Sequence, residues 1–156
     1  MHLLSFICVD AILPNLKADT ARRAVEELMD TLVEAKAVAK AHRRALVDAV
    51  MRRERKGTTG FGNGVAIPHA KHESVRGVVA AVGRSAGGVE FAALDSQPVH
   101  LLFLLLSNPD SPEEHLKAME RVFRSMKNEN FRRFMSRAGG REEIVDLLKE
   151  ADEELG

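Results

Sequence analysis

The run Val99-His100-Leu101-Leu102-Phe103-Leu104-Leu105-Leu106 narrows the fold more than any other feature, because only one of its eight positions is polar. A strand with one wet face alternates apolar and polar residues; a run without alternation fits a strand buried on both faces, which requires helices on each side of the sheet. The uncharged stretch 98–109 around it falls well short of the roughly 18 apolar residues that span a bilayer, so no membrane insertion is expected. Helices to cover such a sheet are available. Residues 19–36 place Ala21, Ala24, Val25, Leu28, Met29, Leu32 and Val33 at helical spacing, with Asp19 or Thr20 as the cap. A basic helix over 41–56 carries Leu46, Val47, Val50 and Met51 on one face and stops at Gly57. Ser111-Pro112-Glu113-Glu114 reads as a helix start, opening an apolar face of Leu116, Met119, Val122, Phe123 and Met126. Two shorter helices, 129–138 and 141–150, flank the Gly139-Gly140 break. Residues 75–83 and 88–91 supply further strands, after an opening segment that ends at Pro14. No repeat or Pro/Ser-rich linker divides the chain, so residues 1–156 are expected to form one three-layer α/β domain, a mixed sheet of about five strands with helices on both faces.

Charge excludes several partners. The 23 basic and 23 acidic residues cancel, which removes the general electrostatic attraction behind most nucleic-acid and acidic-membrane binding, so no nucleic acid is expected. The N-terminus has no Lys or Arg before its apolar run and no small-residue cleavage site after it; it does not read as a secretion signal, and a cytoplasmic location is expected. The single cysteine, Cys8, has no basic neighbour to activate it and is expected to be a small buried hydrophobe.

Chemistry concentrates in one stretch. Gly57-Thr58-Thr59-Gly60-Phe61-Gly62-Asn63-Gly64 holds four of the chain's eleven glycines. Glycines let successive backbone N–H groups converge into an anion nest, here with Thr58, Thr59, Gly60, Gly62 and Gly64 as the expected phosphate-binding positions. The alternative is that they simply permit a tight crossover from helix to strand. Helix before and strand after is the reverse of a dinucleotide fingerprint, and no Gly-Lys-Ser/Thr marks a nucleotide P-loop. Val65-Ala66-Ile67 then reads as a short strand that Pro68 ends, placing His69 at the rim of the sheet with its ring nitrogens accessible. A neutral imidazole beside an anion site is a nucleophile toward phosphorus; a histidine in this position otherwise has a structural role.

Glu54, six intervening residues, Phe61-Gly62, two more, then Val65-Ala66-Ile67-Pro68-His69-Ala70 resembles, at every defined position, the phosphorylation-site signature of the fructose/mannitol-type enzyme IIA domains of the bacterial phosphoenolpyruvate:sugar phosphotransferase system. The resemblance extends over nearly the whole chain, and the wording of 59–69 is closest to the nitrogen-regulatory branch. It implies a phosphotransferase without metal, nucleotide or other cofactor, in which His69 takes a phosphoryl group from the phosphohistidine of a phosphocarrier protein. The family's arginine sixteen residues earlier corresponds to Arg53 and its second histidine, forty-six residues later, to His115. An arginine fork would spread phosphoryl charge, and an imidazole N–H near a helix start would hold a phosphate oxygen. The downstream partner is then an enzyme IIB in sugar uptake or a regulated target protein; the chain carries no fused IIB or carrier segment, which favours regulation. Phe61, at the expected loop tip, is a candidate apolar anchor for a docking partner.

Two rivals use the same residues. A binding module that has lost phosphorylation would not need Arg53, His69 and His115 together. A metal hydrolase would need a third ligand beside His69 and His72, whose three-residue spacing converges only on a helix. His2, His42 and His100 have no chemical partner in sequence, and no serine sits in a nucleophile-elbow pattern.

Overall fold

In the computed structural model, which describes residues 1–156, the apolar run is the strand Val99–Ser107, inside a six-stranded mixed sheet. A strand turns successive side chains to opposite faces. Leu102, Leu104 and Leu106 therefore enter one core and Leu101, Phe103 and Leu105 the other, all of them buried. Each such side chain contributes about 1.5–3 kcal/mol of burial free energy, so this strand holds both helical layers to the sheet.

The elements in chain order are α1 (Leu3–Phe6), β1 (Ile7–Leu13), α2 (Ala21–Glu34), a 3-10 turn (Lys40–His42), α3 (Arg43–Lys56), β2 (Gly60–Gly62), β3 (Val65–Ala66), β4 (His69–Lys71), β5 (Val78–Val89), β6 (Val99–Ser107), α4 (Pro112–Met126), α5 (Glu129–Arg137) and α6 (Arg141–Leu155). The sheet order is β1-β5-β6-β3-β2, with β4 also paired to β6. β1 runs parallel to β5, β5 antiparallel to β6, and β3 and β4 parallel to β6. α2 and α3 cover one face through Leu28, Met29, Leu32, Leu46 and Val50. α1, α4, α5 and α6 cover the other, with Val122, Met126, Met135, Ile144 and Leu148 in its core. The three-layer α/β expectation is met. No helix is long and apolar enough to cross a membrane.

Three local expectations are revised, and the opening segment, unassigned from sequence, proves to be α1 followed by the edge strand β1, whose Val9 and Asp10 are exposed. Cys8 lies in that strand and is only half-buried. Residues 75–83 and 88–91 are not two strands: β5 is continuous, and the small residues 85–88 mark an irregularity where its register against β6 shifts between Arg84 and Val89. The last helix runs five residues beyond its expected end at 150, because Asp152 turns inward. Its carboxylate accepts the Leu3 and Leu4 N–H groups at 2.7 and 3.2 Å and faces the buried Arg121 at 3.4 Å, tying α1 to α4 and α6. Of the expected caps, Thr20 Oγ1 accepts the Arg23 N–H, whereas the Ser111 hydroxyl makes no capping bond.

Candidate functional site

The glycine-rich segment folds as a hairpin rather than an open nest. β2 pairs antiparallel with β3 across Asn63 and Gly64, whose φ angles of +58° and +75° are the left-handed pair of a tight two-residue hairpin turn. Three of its amides already have side-chain partners: Thr59 N–H donates to Glu54 Oε2 at 2.7 Å, Gly60 N–H to Thr58 Oγ1 at 3.0 Å, and Asn63 N–H to Asp95 Oδ2 at 3.2 Å. The Thr58 hydroxyl donates to the Phe91 carbonyl, and the Thr59 hydroxyl to Glu54 Oε1 at 2.5 Å. Glu54, in the last turns of α3, thus clamps the start of the hairpin with both carboxylate oxygens. Gly60 sits there because nothing larger fits; an added Cβ would lie 2.9 Å from the Ala93 Cβ.

The chain then passes through Val65-Ala66, Ile67-Pro68 and His69. Pro68 interrupts the edge without ending it, since both β3 and β4 pair with β6 and His69 itself registers against Leu105. This differs from the expected free rim. One ring nitrogen of His69, not both, is accessible: Nδ1 lies 2.8 Å from the Ile67 carbonyl oxygen, which only accepts, so Nδ1 carries the proton. Nε2 has no partner within the protein.

His115 enters from the second turn of α4, buried, with its Nδ1 2.6 Å from the Ser107 hydroxyl at the end of β6. Its ring centroid is 5.5 Å from that of His69, with the rings tilted by 58°. Arg53 closes the third side from the end of α3, its guanidinium donating to the Gly57 carbonyl at 2.8 Å. Together they line a cleft of about 360 Å³ walled by Thr59, Phe61, Leu116, Met119 and Phe123. Of the expected phosphate-binding positions, Thr59 reaches this cleft; Thr58, Gly60, Gly62 and Gly64 do not line it, because they build and turn the hairpin. Phe61 is not an exposed tip: its ring packs on Phe123, with centroids 4.6 Å apart.

The electrostatics favour neutral histidines. Burial lowers the His69 pKa below its ordinary 6.5, and the charges of Arg53 and Lys71 act in the same direction, against the Ile67 carbonyl and Glu54. His115 is depressed further, to about 4, again chiefly by burial, with His69 and Lys71 adding to it. At neutral pH the cleft therefore holds a bare imidazole nitrogen, a second neutral imidazole and one permanent cation. That set can accept an electrophile on His69 and stabilise negative charge around it. His72 does not join it, its Nδ1 being bonded to the Ser74 hydroxyl.

Sequence reasoning missed two contributors. Lys71 is exposed but electrostatically coupled to both histidines; its place two residues after His69 on one short strand was the available signal. Ser107 was hidden at the end of an apolar run, where nothing in the pattern marks a hydroxyl as functional.

Residues 5–151 match the family model for the phosphoenolpyruvate-dependent sugar phosphotransferase system, EIIA 2. The chain is 37% identical over 134 residues to the fructose-specific EIIA component of Haloferax volcanii, covering 86% of each. It is 30% identical over 148 residues to a nitrogen regulatory protein of Bradyrhizobium diazoefficiens, covering 95% of each. It spans only 24% of the fructose-specific EIIABC component of Bacillus subtilis, at 30% identity over 152 residues. Among solved structures, nitrogen regulatory protein IIA-Ntr from Neisseria meningitidis superposes with a TM-score of 0.83 at 26% identity, over 92% of this chain and 97% of that one.

Proposed function

We propose, from the premise that this chain belongs to the phosphoenolpyruvate-dependent sugar phosphotransferase system EIIA 2 family, that it is a histidine phosphocarrier loaded at His69. The observation that supports this most directly is the division of labour on one ring: Nδ1 is tied to the Ile67 carbonyl and Nε2 faces the cleft without a partner. In the transfer, the Nε2 lone pair attacks the phosphorus of a donor phosphohistidine. An N–P bond forms at His69 while the donor's N–P bond breaks, and its electron pair returns to the donor imidazole. With a proton on its other ring nitrogen the donor leaves as a neutral imidazole, so no proton needs to move in the step itself. The positive charge that develops on the His69 ring is spread through Nδ1–H into the Ile67 carbonyl, while Arg53 and the N–H of His115 draw phosphoryl charge outward.

The donor is a phosphocarrier protein that presents its histidine to the cleft. Leu116, 68% exposed, and Phe123, 36% exposed, stand with Phe61 and Met119 as the apolar ground on which it docks. For the downstream step, regulation by a nitrogen-regulatory IIA is supported by the nearly full-length likeness to nitrogen regulatory proteins. A second reading, transfer to an enzyme IIB in sugar uptake, is supported by the 37% identity to a fructose-specific EIIA component.

The test is to incubate the protein with phosphoenolpyruvate, enzyme I and the phosphocarrier protein and to follow intact mass at neutral-to-alkaline pH. A single acid-labile phosphoryl adduct is expected on the wild type and none on His69→Ala. No adduct on the wild type, with partners that phosphorylate another acceptor, refutes the carrier and leaves a binding module.

A further inference from the structure

Ser107 closes β6 with its side chain fully buried, and its hydroxyl has one partner, Nδ1 of His115. Two arrangements are chemically open to that pair: the hydroxyl gives its proton to a bare Nδ1, or it accepts the proton of an Nδ1–H. The second strands the hydroxyl's own proton in a fully buried place, since His115 Nδ1 is the hydroxyl's one hydrogen-bond partner, and folded proteins avoid that. We propose that Ser107 is a positioning residue that donates to His115 Nδ1 and thereby fixes the His115 proton on Nε2, turned to the cleft; this rests on the reading of His69 as the phosphoryl acceptor.

The two histidines then hold opposite tautomers for two local reasons. A carbonyl oxygen puts the His69 proton on Nδ1 and bares Nε2; a hydroxyl puts the His115 proton on Nε2 and uses up Nδ1. Across the cleft a lone pair faces an N–H donor, and once the lone pair has captured phosphorus the donor has a phosphoryl oxygen to hold. The opposite His115 tautomer would turn a second lone pair toward an anionic group, replacing an attraction with a repulsion. Because burial keeps His115 neutral near pH 7, its contribution depends on which nitrogen carries the proton, not on a charge.

The experiment records long-range proton–nitrogen correlations of the ¹⁵N-histidine-labelled protein near pH 7.5 for wild type, Ser107→Ala and Ser107→Thr, and measures phosphoryl uptake for each. Wild type and Ser107→Thr should show His115 as Nε2–H; Ser107→Ala should lose that signature, leave the His69 pattern unchanged, and load about five- to ten-fold more slowly, the scale of one oriented hydrogen bond. A wild-type His115 protonated on Nδ1, or a tautomer indifferent to Ser107→Ala, overturns the proposal. Unchanged loading despite a changed tautomer overturns the positioning role as well. If the wild type takes up no phosphoryl group, the reading of His69 has failed, and the tautomer spectra show separately whether the hydroxyl sets the ring.

Discussion

Acid should destabilise this protein through His115, and the size of the effect follows from the site. The ring is buried against Ser107 and near His69 and Lys71, which lowers its pKa from 6.5 to about 4. The unfolded chain therefore binds a proton that the folded protein refuses throughout that interval. Above about pH 7.5 both states are neutral and nothing is lost. As pH falls through 6.5 the unfolded state is progressively favoured, by about 2 kcal/mol at pH 5 and about 3 kcal/mol once pH is below the folded value. His69, shifted in the same direction, adds to the loss. Other titrating groups contribute too, so the quantity to measure is the difference between wild type and His115→Gln, whose amide still meets the Ser107 hydroxyl but does not titrate. Urea unfolding at pH 8, 7, 6 and 5 should show the wild type losing about 2 kcal/mol more than the variant by pH 5, or roughly 4–8 °C in melting temperature for a chain of this length. Parallel stability curves for the two proteins would refute the assignment of a depressed pKa to His115.

Two further substitutions test the scaffold. Asp152→Ala removes the acceptor for two N–H groups of α1 and leaves the buried Arg121 guanidinium unpaired; a loss of about 3–5 kcal/mol is expected in thermal or urea unfolding, and a loss below 1 kcal/mol would mean the pair is not buried as described. Gly60→Ala pushes a methyl against Ala93 at 2.9 Å and should cost about 1–3 kcal/mol, with Ala93→Gly added in the same chain restoring most of it; failure of that rescue would place the strain elsewhere.

How much of this was legible beforehand varied with the kind of signal. Double-sided burial of β6 was written in its lack of alternation, and from it followed the helical layers on both faces. Periodicity located α4 but not its orientation: the buried stripe is His115, Ala118, Val122 and Met126, while Leu116, Met119 and Phe123, equally regular, face the cleft. Two apolar stripes on one helix look alike in sequence, and only the neighbouring sheet decides which is core. The Asn63-Gly64 pair was a hairpin signal all along, outweighed by the density of glycines around it. Asp152 lies in an acidic C-terminal run that carries no sign of burial; its role comes from Arg121 and α1, far away in the chain. The candidate site residues His69, Arg53 and His115 came from a motif and a resemblance, and the structure brings all three to one cleft. Ser107 needed coordinates, because a hydroxyl's partner is a matter of geometry.

The bond from His69 to the carbonyl two residues earlier gives the proposed nucleophile a different kind of robustness from that of its companions. Its aim belongs to the main chain of one short segment pinned along β6, whereas His115 is carried by a helix that rests on a separate core. Repacking of the layer that carries α4 therefore alters how closely the second imidazole approaches without acting on the backbone bond that aims the first. If His69 is the phosphoryl acceptor proposed above, remote packing changes can tune how the second imidazole assists it while the accepting nitrogen stays in place.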